Sequence, residues 1–288
     1  MPTIAAAARS LIPWITRQKA LDPLGQKVSG WVHAATRAKS VKNVLSGSWL
    51  GHQLHPLLTD LPIGAWGAAV ALDLTGGEET ASRRLVGLGI LASAPTALAG
   101  ASDWADAYGG DKRVGLVHAL ANASASALQT TSWFARRRGH HVAGAALSLV
   151  GLGLTLSSAY LGGHLSFVRG IGVNRTAFQE RTDSWTDVAA DAEIVEGALR
   201  RVEVDGVPVL LARTGGSVRA LSAVCTHAGG PLDEGALDAD GCVTCPWHGS
   251  RFRLQDGMVD RGPASVPEPR WDVRVDAERI LVRAADIH

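Results

Sequence analysis

Long stretches without charged residues constrain this chain most. Residues 142–168 contain no Asp, Glu, Lys or Arg over 27 positions. Three earlier stretches are similar: 56–74, which is apolar apart from Asp60 and Asp73, 85–102 and 114–135. A helix needs about 20 mostly apolar residues to cross a hydrocarbon core of about 30 Å. Helices of a soluble bundle would need a polar face, and these stretches show none. We therefore expect an all-α four-helix transmembrane bundle over residues 45–168.

The segment 1–44 precedes these stretches and has a different pattern. Apolar residues recur at helical spacing from Leu24 through Val28 and Trp31 to Ala35, beside several lysines and arginines. This pattern is typical of a basic amphipathic helix that lies on a membrane surface. A soluble helix packed against the C-terminal part of the chain is the alternative.

After the last apolar stretch the pattern changes to short β runs. Residues 169–186 are mixed and polar, and we interpret them as a linker. Asp205 and Gly206 separate two apolar runs, 199–204 and 207–212, which is a strong signal for a two-residue hairpin. Further runs follow at 218–224, 242–244, 271–275 and 280–282. The fold class is therefore multi-domain, with a small all-β domain over 187–285 behind the helical bundle.

Two short motifs in the β region carry the clearest chemistry. They are Cys225-Thr-His227 and Cys245-Pro-Trp-His248, and each offers one thiolate and one imidazole. Structural zinc sites more often show two close cysteines followed by two close histidines. The observed order instead suits a [2Fe–2S] centre in which one iron takes two thiolates and the other two imidazoles. A zinc knuckle with this ligand order stays the alternative, and Cys242 lies outside both motifs.

The residues around the motifs agree with the cluster interpretation. The first motif is followed by Gly229, Gly230 and Pro231, and the second by Gly249, Ser250 and Phe252. From about residue 185 to 283 the sequence resembles the Rieske iron–sulfur domain. The resemblance implies that Cys225 and Cys245 hold one iron while His227 and His248 hold the other. It also implies that Ser250 and Pro263 lie beside the cluster, Pro263 within a shielding loop formed by residues 262–264.

Departures from the family pattern bear on the reduction potential. Quinol-oxidising Rieske proteins carry two further cysteines joined in a disulfide, and Gly230 and Trp247 stand at those positions here. Those proteins also place a tyrosine donor where this chain has Phe252. Fewer donors to sulfur stabilise the reduced state less. We therefore expect a ferredoxin-like potential near the low end of the Rieske range of roughly −150 to +300 mV.

The apolar half contains histidines, which are costly in a membrane and often mark function. The stretch from Gly51 to Trp66 and the later Gly162-Gly163-His164 resemble a family of uncharacterised four-span bacterial membrane proteins (DUF2231-like). Four alternating spans would bring His55, His118 and His164 toward one membrane face. Three interpretations stay open: ligation of haem b by a pair of these histidines, a quinone pocket, or a structural polar network.

Together these features predict a membrane-anchored one-electron carrier that works with a redox partner protein or reductase. The alternatives are a redox enzyme subunit whose bundle binds haem or quinone, and a non-redox sensor or scaffold with a structural cluster. No catalytic residue is predicted. The formal net charge of +1 gives no field that would favour nucleic acid.

The location of the β domain is predicted from charge and cysteine usage. Eight lysines and arginines lie near the span ends on its side, against five on the other side. Three cysteines leave no disulfide framework, and the N-terminus shows no pattern of a cleaved signal peptide. We expect a multi-pass protein of the inner membrane with the cluster domain on the cytoplasmic face.

Overall fold

The chain forms two compact units. A computed structural model describes residues 4–180 and 182–285. The helical unit comprises Met1–Arg37 and Leu54–Ile171, and the β unit comprises Ala38–Gln53 and Gly172–His288. The segment 38–53 thus belongs to the β unit although it precedes the helical stretches in sequence.

Seven α-helices lie in the described part of the chain. They are α1 (Ile4–Arg17), α2 (Asp22–Ala35), α3 (Lys39–Ser46), α4 (Leu54–Leu74), α5 (Glu79–Trp104), α6 (Gly109–Arg137) and α7 (His141–Gly163). A π-helical turn, His164–Val168, extends α7. Helices α4 and α5 form one hairpin and α6 and α7 another, and α1 packs on α6 through Ile12, Ile15 and Val114.

Three of the described helices are long and apolar enough to cross a membrane: Leu54–Leu74, Glu79–Trp104 and His141–Val168. Helix α6 is not among them, although its 29 residues would suffice in length. Its first turns carry Asp111, Lys112 and Arg113, and its middle is rich in Ser, Thr, Asn and Gln. The predicted helical unit is therefore present, but the count of four spans is not confirmed.

The β unit contains two antiparallel sheets. The larger one has the order β1-β10-β9-β4-β3-β2, and the smaller one β5-β6-β7-β8. The strands are β1 (Thr186–Ala190), β2 (Leu199–Val204), β3 (Val207–Thr214), β4 (Ser217–Ser222), β5 (Ala236–Leu237), β6 (Cys242–Thr244), β7 (Arg251–Arg253), β8 (Val259–Arg261), β9 (Arg270–Asp276) and β10 (Arg279–Ala284). The expected hairpin joins β2 to β3, with φ of 49° at Asp205 and 81° at Gly206. The all-β domain is confirmed.

The alternating side chains of the larger sheet build two separate cores, because successive residues of a strand point to opposite faces. On β3, Val209 and Leu211 face one core together with Ile280. Leu210 faces the other core, which also contains Phe252 and both motif cysteines. The second core therefore lies directly beneath the candidate site.

Candidate metal centre

Two loops with the same turn geometry carry the predicted ligands. In each loop the backbone N–H of the cysteine donates to a carbonyl five residues later, Cys225 to Gly230 and Cys245 to Ser250, both at 2.8 Å. The fourth residue after each cysteine, Gly229 or Gly249, donates back to the cysteine carbonyl. Both glycines adopt left-handed φ values, 82° and 70°, which side chains with a Cβ disfavour. Each turn therefore presents a cysteine and the following histidine toward the same place.

The two thiols meet in the buried part of the site. Cys225 and Cys245 are 1% and 3% exposed. Their mutual hydrogen bond lowers the pKa of Cys245 to about 6 and raises that of Cys225. The backbone amides of Trp247 and His248 donate to the sulfur of Cys245, and the amide of His227 donates to that of Cys225. These donors favour the thiolate form, which is the form that binds metal.

The two imidazoles lie side by side and are less buried than the thiols. The ring centroids of His227 and His248 are 4.9 Å apart, and the ring planes are 88° from each other. Within residues 4–180 and 182–285, no three His, Cys, Asp or Glu side chains converge as ligands of one ion. The site offers a pair of sulfurs and a pair of nitrogens, which is the donor set of a [2Fe–2S] centre in which one iron takes two thiolates and the other two imidazoles.

A third loop, residues 262–264, is hydrogen-bonded to the second ligand loop. Pro263 is buried in it. The backbone N–H of Ala264 donates to the hydroxyl of Ser250 at 3.0 Å. Ser250 is fully buried, so its side chain ties the second ligand loop to the third loop. Ser250 also accepts from the N–H of Cys245 through its carbonyl, and Pro263 directly precedes Ala264, so the positions of both residues beside a cluster stay a prediction.

Gly230 and Trp247, which stand where quinol-oxidising Rieske proteins have disulfide cysteines, are neighbours in space. A Cβ placed on Gly230 would lie 3.1 Å from the ring of Trp247 and 2.8 Å from the sulfur of Cys245. The indole therefore fills the space in front of Gly230 that a disulfide would occupy. Phe252 is fully buried in the core that contains both cysteines, and its ring offers no hydrogen-bond donor.

Helix α3 also contacts the third loop. No sequence pattern indicates this contact. Asn43 donates from Nδ2 to the carbonyl of Asp260 at 2.9 Å and accepts from the N–H of Gly262 at 2.9 Å. Lys39 forms an ion pair with Asp260. A Cβ on Gly262 would lie 2.9 Å from the hydroxyl of Ser46, so the helix packs closely against the loop. Contacts across more than 200 residues leave no local pattern that could have revealed them.

Glu268 is a second residue that the motifs did not reveal. It is almost fully buried, and this burial raises its pKa well above the usual value. Its Oε2 accepts from the backbone N–H of Thr226 at 3.1 Å, between the two ligands of the first loop. The Thr226 hydroxyl donates to the carbonyl of Val266. The segment 266–268 therefore anchors the first ligand loop, although a single Glu between two prolines gives no recognisable signal.

The structure brings together two of the three histidines predicted in the helical unit. The ring centroids of His55 and His118 are 6.4 Å apart. His164 begins the π-helical turn after α7. No ring contact between His164 and either of the other two occurs in the part of the chain that the structure describes.

Comparisons with known proteins agree with this geometry. The model of the Rieske [2Fe-2S] domain matches residues 184–276. The ferredoxin component of biphenyl 2,3-dioxygenase from Rhodococcus jostii (strain RHA1) is 30% identical over 97 residues, which cover 34% of this chain and 90% of that protein. The chain belongs to the Rieske [2Fe–2S] family. The family match supports a [2Fe–2S] cluster as cofactor and gives no support to haem or quinone.

Further matches show which parts of the chain resemble other proteins. A predicted membrane protein family (DUF2231) matches residues 51–175, so both resemblances seen in the sequence are confirmed. Apoptosis-inducing factor 3 from Homo sapiens is 34% identical over 93 residues, 32% of this chain but only 15% of that protein. The solved ferredoxin of carbazole 1,9a-dioxygenase from Nocardioides aromaticivorans IC177 shows 34% identity, with a TM-score of 0.34, over 35% of this chain and 99% of that one.

Proposed function

We propose that this Rieske protein is a membrane-anchored one-electron carrier. Cys225 and Cys245 would hold one iron of its [2Fe–2S] cluster, and His227 and His248 the other. The observation that carries the proposal is the pair of matched loops, which present two buried thiols in mutual contact and two adjacent imidazoles. When bound, the cluster would take up and release single electrons.

The surrounding residues favour a ferredoxin-like potential. Backbone amides donate to both sulfurs and stabilise the more negative, reduced state. Phe252 adds no donor, and Gly230 with Trp247 supplies no disulfide. The potential therefore lies below that of quinol-oxidising members, in the lower part of the range from roughly −150 to +300 mV.

The partial exposure of the two imidazoles supports electron exchange with a partner protein. The thiols are buried, whereas both imidazoles are partly exposed and Trp247 is 52% exposed. An electron would therefore leave by the histidine side. Relatives that are ferredoxin components of dioxygenase systems support a redox protein or a reductase as the partner.

The connectivity supports four membrane crossings, with α6 as the fourth span. Residues 38–53 and 172–285 belong to one unit, and a Cβ on Gly172 would lie 2.3 Å from the side chain of Gln53. The chain therefore leaves and re-enters the same unit, which requires an even number of crossings between Gln53 and Gly172. Helices α4, α5 and α7 alone would give three. The predicted membrane domain, 45–168, then begins at Leu54, because residues 45–53 belong to the β unit. The Rieske domain (187–285) is joined to it through 169–186 and located on the cytoplasmic face of the inner membrane.

Metal analysis combined with redox titration of the detergent-purified protein tests the proposal. We expect two irons and two sulfides per chain in the cluster, a brown colour and a reversible one-electron transition of that cluster. Cys225→Ser should abolish the cluster. Cys242→Ser is the matched control, because Cys242 is equally buried but lies outside both motifs, and it should leave the cluster intact. A colourless protein that contains zinc would refute the proposal.

A further inference from the structure

The two helical hairpins make the same histidine contact at corresponding places. His55 near the start of α4 donates from Nδ1 to the carbonyl of Thr96 on α5 at 2.9 Å. His118 in the first half of α6 donates from Nδ1 to the carbonyl of Ser158 on α7 at 2.8 Å. The two contacts span 41 and 40 residues. The same bond therefore recurs once in each hairpin.

Each histidine also faces a glycine four residues beyond its carbonyl partner. A Cβ on Gly100 would lie 2.6 Å from Cε1 of His55, and a Cβ on Gly162 would lie 3.1 Å from Cε1 of His118. Any larger residue at either glycine would push against the ring. The His55 and His118 rings thus pack against equivalent glycines in the two hairpins.

The correspondence continues along the helices. Eleven residues after each histidine, Trp66 donates to the carbonyl of Val86 and Gln129 donates to that of Ser148. Eighteen residues after each histidine stand Asp73 and Arg136, which form a buried ion pair with each other. A constant offset of 63 relates these positions. The hairpins therefore behave as internal repeats about an approximate two-fold axis, as in membrane proteins with parallel repeats.

The hydrogen bonds assign the protonation of both rings. A backbone carbonyl can only accept, so Nδ1 carries the proton in His55 and in His118. The hydroxyl of Ser158, which donates to the carbonyl of His118, also lies 2.9 Å from Nδ1 of that ring. A neutral ring with a proton at Nδ1 has its lone pair at Nε2. Asn122 donates its amide to Nε2 of His118 at 3.2 Å, which agrees with this assignment, and this amide would have to turn away before Nε2 could bind a metal ion.

These features match the support that proteins give to metal-binding histidines. Such a histidine usually donates its second ring nitrogen to a backbone carbonyl or a carboxylate, which fixes the ring and its tautomer. A metal–nitrogen bond is about 2.0–2.1 Å, so two rings that share one ion through Nε2 have centroids roughly 6 Å apart. The observed separation is 6.4 Å. A quinone oxygen would need a donor, but the only N–H of each ring is already given to a carbonyl.

We propose that His55 and His118 bind one transition-metal ion through their Nε2 atoms. The remaining coordination positions would be filled by groups that the chain does not supply, either the nitrogens of a porphyrin or water. The site lies wholly within the helical unit, and it goes beyond the proposed function because it does not depend on the [2Fe–2S] cluster.

Metal content and the visible spectrum of the full-length protein, purified without a histidine tag, test this site. We expect one metal ion per chain in addition to the two irons of the cluster. A Soret band identifies the ion as haem iron, and an extra ion without a Soret band identifies a bare metal. Asparagine can keep the bond to the carbonyl while it removes Nε2, so His55→Asn and His118→Asn should each lose the extra metal.

Controls separate this site from a structural role and from the cluster. His52→Asn and His164→Asn should keep the extra metal. Gly100→Ala should lose it although both histidines remain, because the new methyl group displaces the ring of His55. Cys225→Ser should lose the cluster and keep this ion. Wild-type protein with no metal beyond the cluster, or equal metal in His118→Asn and wild type, would overturn the proposal.

Discussion

At the scale of single residues, Phe252 offers a direct way to change the potential. Its ring is fully buried in the core that contains both cysteines, and the resemblance to quinol-oxidising Rieske proteins implies that a tyrosine hydroxyl at this position donates to a ligand sulfur. A donor to sulfur stabilises the reduced state more than the oxidised one. Phe252→Tyr should raise the midpoint potential by tens of millivolts, since a one-electron couple shifts by about 59 mV for a tenfold change in equilibrium. Redox titration followed by EPR measures the shift.

The control for this change is Phe252→Leu, which alters the packing but adds no donor. It should destabilise the protein and leave the potential nearly unchanged. If Phe252→Tyr and Phe252→Leu show the same potential, the missing donor does not explain a ferredoxin-like value.

Glu268 should contribute to the stability of the protein through its hydrogen bond and not through a negative charge. Burial raises its pKa well above the usual value, which favours a neutral carboxyl group. Glu268→Gln keeps an oxygen acceptor for the N–H of Thr226, so its stability should stay close to that of wild type. Glu268→Ala leaves that buried N–H unsatisfied, which costs about 1–3 kcal/mol. Thermal loss of the cluster absorbance should occur at a lower temperature in Glu268→Ala only, and equal losses in both variants would contradict this role.

Sequence reasoning found the candidate ligands but not the residues that hold them. Cys225, His227, Cys245 and His248 lie in two short motifs, where the spacing itself carries information. Asn43 and Glu268 act through one or two hydrogen bonds to loops that are distant in sequence. A single polar residue that makes such a bond has no periodicity and no motif, so only the folded chain reveals it.

At the scale of elements, helix α3 is expected to stabilise the cluster through the loop 262–264. Asn43→Ala removes both hydrogen bonds that connect the helix to this loop. The Rieske resemblance implies that this loop shields the cluster from water, so we expect faster loss of the cluster on heating, together with a changed midpoint potential. Asn43→Asp keeps the acceptor for the N–H of Gly262 and should show a smaller effect.

Lys39→Ala is the matched control on the same helix. Lys39 is exposed, and an exposed ion pair contributes about 0–1 kcal/mol. Its loss should leave the rate of cluster loss nearly unchanged. If Asn43→Ala behaves like Lys39→Ala, helix α3 is only a connection between the two units.

The elements differ in how well local pattern predicted them. The β runs and the Asp205–Gly206 hairpin were predicted correctly, because alternation and turn chemistry are local properties. The absence of charge over 114–135 predicted a span at α6, yet serines, threonines and amides lower the hydropathy of that helix. The association of α3 with the β unit depends on tertiary contacts, which no window of sequence contains.

At the scale of the whole molecule, four crossings predict the side of every loop. The loop between α5 and α6 should lie on the same side as residues 47–53, and the loop between α6 and α7 on the opposite side. Single cysteines at Tyr108→Cys and Arg138→Cys report this through labelling by a membrane-impermeant maleimide in spheroplasts and inverted vesicles. The three native cysteines are buried and should give little background.

The labelling pattern distinguishes four membrane spans from three. Tyr108→Cys should react only in inverted vesicles, and Arg138→Cys only in spheroplasts. Reaction of both from one side would mean that α6 does not cross the membrane. Ser48→Cys is the reference for the side that carries the Rieske domain, and it should behave like Tyr108→Cys.

The proposed [2Fe–2S] cluster has two imidazole ligands. Pulsed EPR of the chemically reduced, full-length protein detects them, because imidazole nitrogens bound to iron couple to the unpaired electron. We expect two strongly coupled ¹⁴N nuclei, and only one in His227→Cys if that variant assembles a cluster. A reduced cluster without strongly coupled nitrogen, or no paramagnetic cluster at all, would show that His227 and His248 do not bind a [2Fe–2S] cluster.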